Sequence, residues 1–167
     1  MNITEVTEAG MTLEERIVDH MRDKKLTLAV AESCTGGMLS SRIIDVPGVS
    51  EVYKAGFVTY ANEAKQNLIG VKEETLKEFG AVSEQTAKEM VLGAMKAAKT
   101  DMAVATTGVA GPGGGTKEKP VGLVYIACGS EDDIIVERCL FNGTRSEIRQ
   151  ASVEHALGML YKEIMKK

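Results

Sequence analysis

Ser33 sits in Ala31-Glu32-Ser33-Cys34-Thr35-Gly36-Gly37, a polar segment that follows one apolar run and precedes another. A serine hydroxyl at such a junction can act as a nucleophile once a base takes its proton. The backbone N–H groups of Gly36 and Gly37 would open the next helix. There they would face developing negative charge, with the helix dipole adding to them. Thr35, Gly36 and Gly37 are therefore the expected substrate-binding part of this loop. The plainer reading is a helix cap by Ser33 or Thr35. Cys34 is a rival nucleophile, because a helix N-terminus lowers a thiol pKa; simple packing is its alternative. The G-x-S-x-G pattern of a nucleophile elbow is absent.

A serine needs a base. The only histidines, His20 and His155, fall inside predicted helices away from this loop, which argues against a Ser-His-Asp triad. No serine is followed three residues later by lysine. Lys65 offers a different solution. With Asn62 as N-cap, Lys65 stands at the third helical position, in the first turn. The positive helix end and partial burial both disfavour an ammonium there and push the amine towards its neutral form. A solvated lysine on an exposed turn is the ordinary alternative. Tyr60, just before this helix, is placed to relay a proton or orient the serine, or else to sit as a half-buried edge aromatic.

The third polar segment is the glycine-rich stretch from Thr106 to Lys117. Its glycines permit close approach of backbone to a ligand, unless it is only a flexible loop. It is not a Walker A loop, because Thr116 precedes Lys117 and Glu118 follows it. Arg145 and Arg149 lie four apart in the first turns of the last predicted helix. They share one face and could grip a phosphate, or be solvated beside Glu147.

These residues need a scaffold. Thr12-Leu13-Glu14-Glu15 fits a capping box for a first helix. Runs 26–31, 55–60 and 102–106 read as buried strands, and 121–127 with 134–140 as a hairpin. Helices are predicted at 38–44, from Asn62 to Ile69, from Ser83 to Ala98, and from the turns holding Arg145 and Arg149 through Ile164. Strands that alternate with helices and then pair imply an α/β fold with a mixed, mostly parallel sheet of about five strands and helices on both faces. Ligands in such folds sit beyond the carboxyl ends of the strands. The loops holding Ser33, Lys65 and Thr107 all leave such ends.

Bulk properties narrow the function. The 167 residues suit one domain, read as 12–167 behind a loose leader at 1–11. Net charge is −4, against a general nucleic-acid binder. Cys34, Cys128 and Cys139 form no spaced framework, which points to reduced thiols in the cytoplasm. No Cys-x-x-Cys pair or local His/Cys cluster suggests a metal. No apolar run approaches a membrane span.

Five segments together resemble the CinA C-terminal domain family. They are Ala31 to Gly37, Gly56 to Lys65, Gly80 to Ser83, Thr107 to Gly114 and Lys119 to Gly122. The resemblance runs from about Leu13 to the end. It implies a three-layer α/β/α sandwich, often a homodimer, needing neither metal nor cofactor. The family includes a deamidase that converts nicotinamide mononucleotide to nicotinate mononucleotide and ammonia. By resemblance Ser33 is the nucleophile, Lys65 the general base and Tyr60 an assisting hydroxyl. Thr107 and Gly108 line the substrate site, and Arg145 lies near the phosphate, with Arg149 added on spacing. Two departures stand out: Ala61 where serine is frequent, and Thr144 where aspartate is frequent. Larger members carry an extra N-terminal domain, so this length resembles the stand-alone form. The alternative function is a non-catalytic nucleotide-binding or competence-associated module, and another small phosphorylated amide is a further candidate substrate.

Overall fold

The computed structural model describes residues 10–167. The expected leader lies outside them apart from Gly10 and Met11. The chain runs α1 (Leu13–Asp23), β1 (Leu28–Glu32), α2 (Met38–Ile44), β2 (Tyr53–Val58), α3 (Asn62–Ile69), α4 (Glu73–Phe79), α5 (Glu84–Ala98), β3 (Met102–Gly108), β4 (Leu123–Ser130), β5 (Asp133–Leu140) and α6 (Arg145–Met165).

One sheet has the order β2-β1-β3-β4-β5. β1 is parallel to β2 and β3, while β4 is antiparallel to β3 and β5. Four strands thus point one way and β4 returns against them, so the sheet is mixed and mostly parallel, as expected. Helices cover both faces, giving the three-layer α/β/α sandwich.

Side-chain size separates the two faces. Leu28, Val30, Val104 and Ile126 point towards α1, α2 and α6. The alternate residues Ala29, Ala31, Ala103, Ala105 and Ala127 point towards α5. Period-two alternation sends neighbours to opposite faces, and both faces are buried, so the strands read as unbroken apolar runs. The alanine face lets Ala87, Met90, Val91 and Ala94 of α5 pack close to the sheet.

Side-chain caps set three of the six α-helix starts among the described residues. Thr12 Oγ1 accepts from Glu15 N–H at 3.2 Å and Glu15 caps Thr12 N–H in return, as the sequence predicts. Ser83 caps α5 through Thr86 N–H. Two expectations are corrected. Asn62 is the first helical residue of α3 and Ala61 its N-cap, so Lys65 is the fourth helical residue, not the third. The helix after Ser33 spans Met38–Ile44 as predicted, with Gly37 as its N-cap, so Gly36 lies before it and does not open it. The sequence reading also has no counterpart to α4.

Candidate active site

The carboxyl ends of three strands lie side by side. Glu32, the last residue of β1, pairs with Val58 of β2 and with Thr106 of β3. The pairing carries past the strand ends, because Ser33 N–H donates to Thr106 O at 2.9 Å and Thr59 N–H to Glu32 O at 2.8 Å. Ser33 and the Thr59 carbonyl are thereby fixed in place by backbone.

Lys65 enters this corner from α3. Its side chain is wholly shielded from solvent. Its Nζ donates to Ser33 Oγ at 3.1 Å and to Thr59 O at 2.6 Å. Burial disfavours the ammonium and pulls the lysine pKa down to about 8. The cause is desolvation. Cys34 responds oppositely: burial pushes its thiol up to about 11, so its thiolate is scarce at neutral pH.

The loop after Ser33 is held from two sides. The Glu32 carboxylate, fully buried, accepts from Gly37 N–H, Leu39 N–H and Ser40 N–H at 2.9–3.0 Å. It also accepts from the hydroxyls of Thr35 at 2.6 Å and Ser40 at 2.7 Å. From the other side Arg149 donates through Nε to Cys34 O at 3.1 Å and through Nη2 to Thr35 O at 2.8 Å. Gly37, with φ of 95°, makes the left-handed turn that lets Glu32 cap α2.

Several of the groups expected to face the substrate are engaged within the protein. Gly37 N–H is engaged by Glu32, and Gly36 N–H donates to Ser33 O at 3.2 Å. Thr35 is buried beneath the loop, its hydroxyl between Glu32 and Thr106. Cys34 and Thr35 N–H make no hydrogen bond to another described residue. Arg149 braces the loop through Nε and Nη2.

The other expected residues surround a cavity of about 280 Å³. Ser33, Lys65, Tyr60, Thr107, Gly108 and Arg145 all line it, whereas Thr35, Gly36, Gly37 and Arg149 do not. Arg145 reaches across its mouth, donating to Gly111 O at 2.8 Å and to the Tyr60 hydroxyl at 2.9 Å. The partner of the Tyr60 hydroxyl is therefore Arg145, not Ser33 or Lys65. Thr107 Oγ1 donates to Ala81 O at 2.7 Å. At Gly108 a Cβ would come within 2.6 Å of Leu123 O, so only glycine lets β3 and β4 lie this close. Neither histidine lines the cavity.

A family model for the CinA C-terminal domain matches residues 10–164. The chain belongs to the CinA C-terminal domain family. It is 52% identical over 155 residues to a Clostridioides difficile protein and 47% identical over 156 residues to one from Clostridium beijerinckii, both named for competence-damage induction. Each match covers 93% of this chain but only 37% and 38% of those proteins, so the chain spans under two fifths of their length. Solved structures of the CinA group agree with its fold. The Agrobacterium tumefaciens competence/damage inducible protein CihA aligns at TM-score 0.87 with 44% identity, covering 90% of this chain and 92% of its own. A CinA superfamily protein from Klebsiella pneumoniae aligns at 0.89 with 33% identity, covering 93% and 97%.

Within this CinA domain, Ala61 and Thr144 both fall at helix caps. Ala61 is the N-cap of α3 and offers no side-chain acceptor. Thr144 is the N-cap of α6 and forms a capping box with Glu147, starting the helix that carries Arg145 and Arg149. The sequence reading assigns Glu32 no role. The available signal was a carboxylate ending an otherwise apolar strand, a charge that needs several partners when buried.

Proposed function

We propose that this domain is a serine amidohydrolase that converts nicotinamide mononucleotide to nicotinate mononucleotide and ammonia. The observation that carries the reading is the 3.1 Å hydrogen bond between the buried Lys65 amine and Ser33 Oγ. Family membership supports the reaction class, and Arg145 supplies a cation at the cavity mouth for a phosphate.

Chemistry follows from the dyad. In its neutral form Lys65 takes the Ser33 hydroxyl proton as Oγ attacks the carboxamide carbon. A tetrahedral oxyanion forms, and the N–H groups of Cys34 and Thr35, which no other described residue accepts from, are the loop's remaining donors for it. Losing one such donor typically costs about 3 kcal/mol of barrier. The lysine then passes its proton to the departing nitrogen, the C–N bond breaks and ammonia leaves. Water attacks the acyl ester with Lys65 again as base, releasing nicotinate mononucleotide and restoring Ser33. We further propose that the domain works in the cytoplasm as a homodimer; among the described residues no helix is long and apolar enough to cross a membrane.

Ammonia release from nicotinamide mononucleotide tests this, with wild type, Ser33→Ala, Lys65→Ala and Cys34→Ala side by side. Loss in the first two variants and retention in the third is expected. Equal rates for wild type and Ser33→Ala would overturn the serine role, and loss in Cys34→Ala alone would move it to the thiol. Nicotinamide, its riboside and the dinucleotide as alternative substrates test the need for the monophosphate. Tight mononucleotide binding without turnover would favour a non-catalytic module.

A further inference from the structure

A second group of reactive side chains lies apart from the Ser33 cavity and lines no part of it. Glu137 and Cys139 are two residues apart on β5, so they project from the same face of that strand. His155 meets them from α6. A Glu137 carboxylate oxygen, Cys139 Sγ and a His155 ring nitrogen all lie within 4.8 Å of one another. His155 Nε2 is 2.6 Å from Glu137 Oε2. Phe141, just past the end of β5, sets its ring edge-on to the imidazole at 6.0 Å between centroids. The imidazole is therefore held on two sides, by a carboxylate and by an aromatic ring.

We propose that Glu137, Cys139 and His155 bind a zinc ion that ties β5 to α6. Thiolate, imidazole and carboxylate together form a zinc donor set, whereas calcium and magnesium prefer oxygen alone. Donor atoms around tetrahedral zinc stand about 3.2–3.8 Å apart. To reach that spacing the carboxylate and imidazole, now 2.6 Å apart, must separate, and all three donors already lie within 4.8 Å of one another. Zinc bonds to sulfur as the thiol proton leaves to solvent, to the neutral imidazole and to the carboxylate. Water takes the fourth position, because the His155 and Glu137 side chains remain 38% and 45% exposed.

Topology gives such a tie a purpose. β5 is the outer strand beyond β4, with a hydrogen-bonded neighbour on one side only. A metal bridge to α6 adds a second attachment. Local spacing could not show the site, because His155 is distant in sequence from the other two ligands.

The competing account is a plain His155–Glu137 ion pair beside an unrelated thiol. Cobalt(II) and zinc titrations of chelator-treated protein separate the two. Cobalt is expected to give a near-ultraviolet thiolate charge-transfer band that zinc abolishes. Cys139→Ser should remove the band, while Cys34→Ser should leave it. His155→Ala and Glu137→Gln should each weaken zinc binding by about tenfold or more. Zinc should raise the Tm of wild type but not of Cys139→Ser, with circular dichroism confirming that each variant is folded. No band, a band that persists in Cys139→Ser, or zinc affinity unchanged in His155→Ala would overturn the proposal.

Discussion

Lys65 reaches Ser33 Oγ across 3.1 Å from a side chain with no exposed surface. Its ammonium form lacks water, and its protein partners are a hydroxyl and the Thr59 carbonyl. Shielding makes the amine a usable base near neutral pH without a neighbouring cation. The same residue therefore links catalytic pH dependence to stability.

The first consequence is kinetic. The base must be neutral, and its pKa is about 8. Below pH 8 the neutral fraction falls about tenfold per pH unit. The kcat/KM for the mononucleotide is expected to climb from pH 6 and level off above about pH 8. Steady-state kinetics across that range check it, and a flat profile would remove Lys65 from the role of base.

A second consequence concerns folding. The folded pKa is about 8 against an ordinary value of 10.5. Between these values the unfolded chain holds a proton that the folded chain lacks, so stability rises with pH in that window. Below pH 8 the buried charge costs on the order of 3 kcal/mol. Lys65→Met should be more stable than wild type at pH 7, and that advantage should shrink between pH 8 and 10.5. Urea unfolding at pH 7, 9 and 10.5 measures the difference.

Glu32→Gln should damage the Ser33 loop. The carboxylate accepts five hydrogen bonds, and an amide would turn an NH₂ group towards some of the same donors. A loss of about 3 kcal/mol is expected, roughly 10 °C in Tm for a chain of this size. The kcat should fall at temperatures where the variant is still folded. Thermal melts and kinetics on one preparation test both.

Tyr60→Phe separates two roles for the tyrosine. Its hydroxyl accepts from Arg145, and the ring is 61% exposed. If it positions Arg145, KM should rise while kcat stays within about tenfold of wild type. A proton relay would instead lower kcat by about 100-fold or more.

Ala61→Ser should stabilise the domain. The position is the N-cap of α3 and lacks a side-chain acceptor. A serine there should add about 1 kcal/mol, read as a higher Tm.

Several of these features were legible in the sequence, and the exceptions have physical causes. The strands showed through because both sheet faces are buried, making Leu28 to Ala31 and Met102 to Thr106 nearly continuous apolar runs. Ser33, Lys65 and Arg145 were found because each follows a strand end or opens a helix. The short helix α4 escaped notice because its N-cap, Lys72, makes no side-chain cap. Asn62 has a favourable cap side chain, yet the backbone places Ala61 there. Arg149 shows the limit of spacing: four residues from Arg145 predicts a shared face, not which partner waits on it. Its partners, the carbonyls of Cys34 and Thr35, are more than a hundred residues away.

The segment between β3 and β4 walls the cavity, and its two ends are buttoned together. Val109 N–H donates to Leu123 O at 2.8 Å, and Gly122 N–H to Val109 O at 2.7 Å. That closure pins both ends of the stretch between them, while Ser33 and Lys65 stand on separate elements. The cavity's outer wall and its floor are therefore independent pieces of the chain, so a change in the wall would alter the cavity's shape without moving the serine or the lysine.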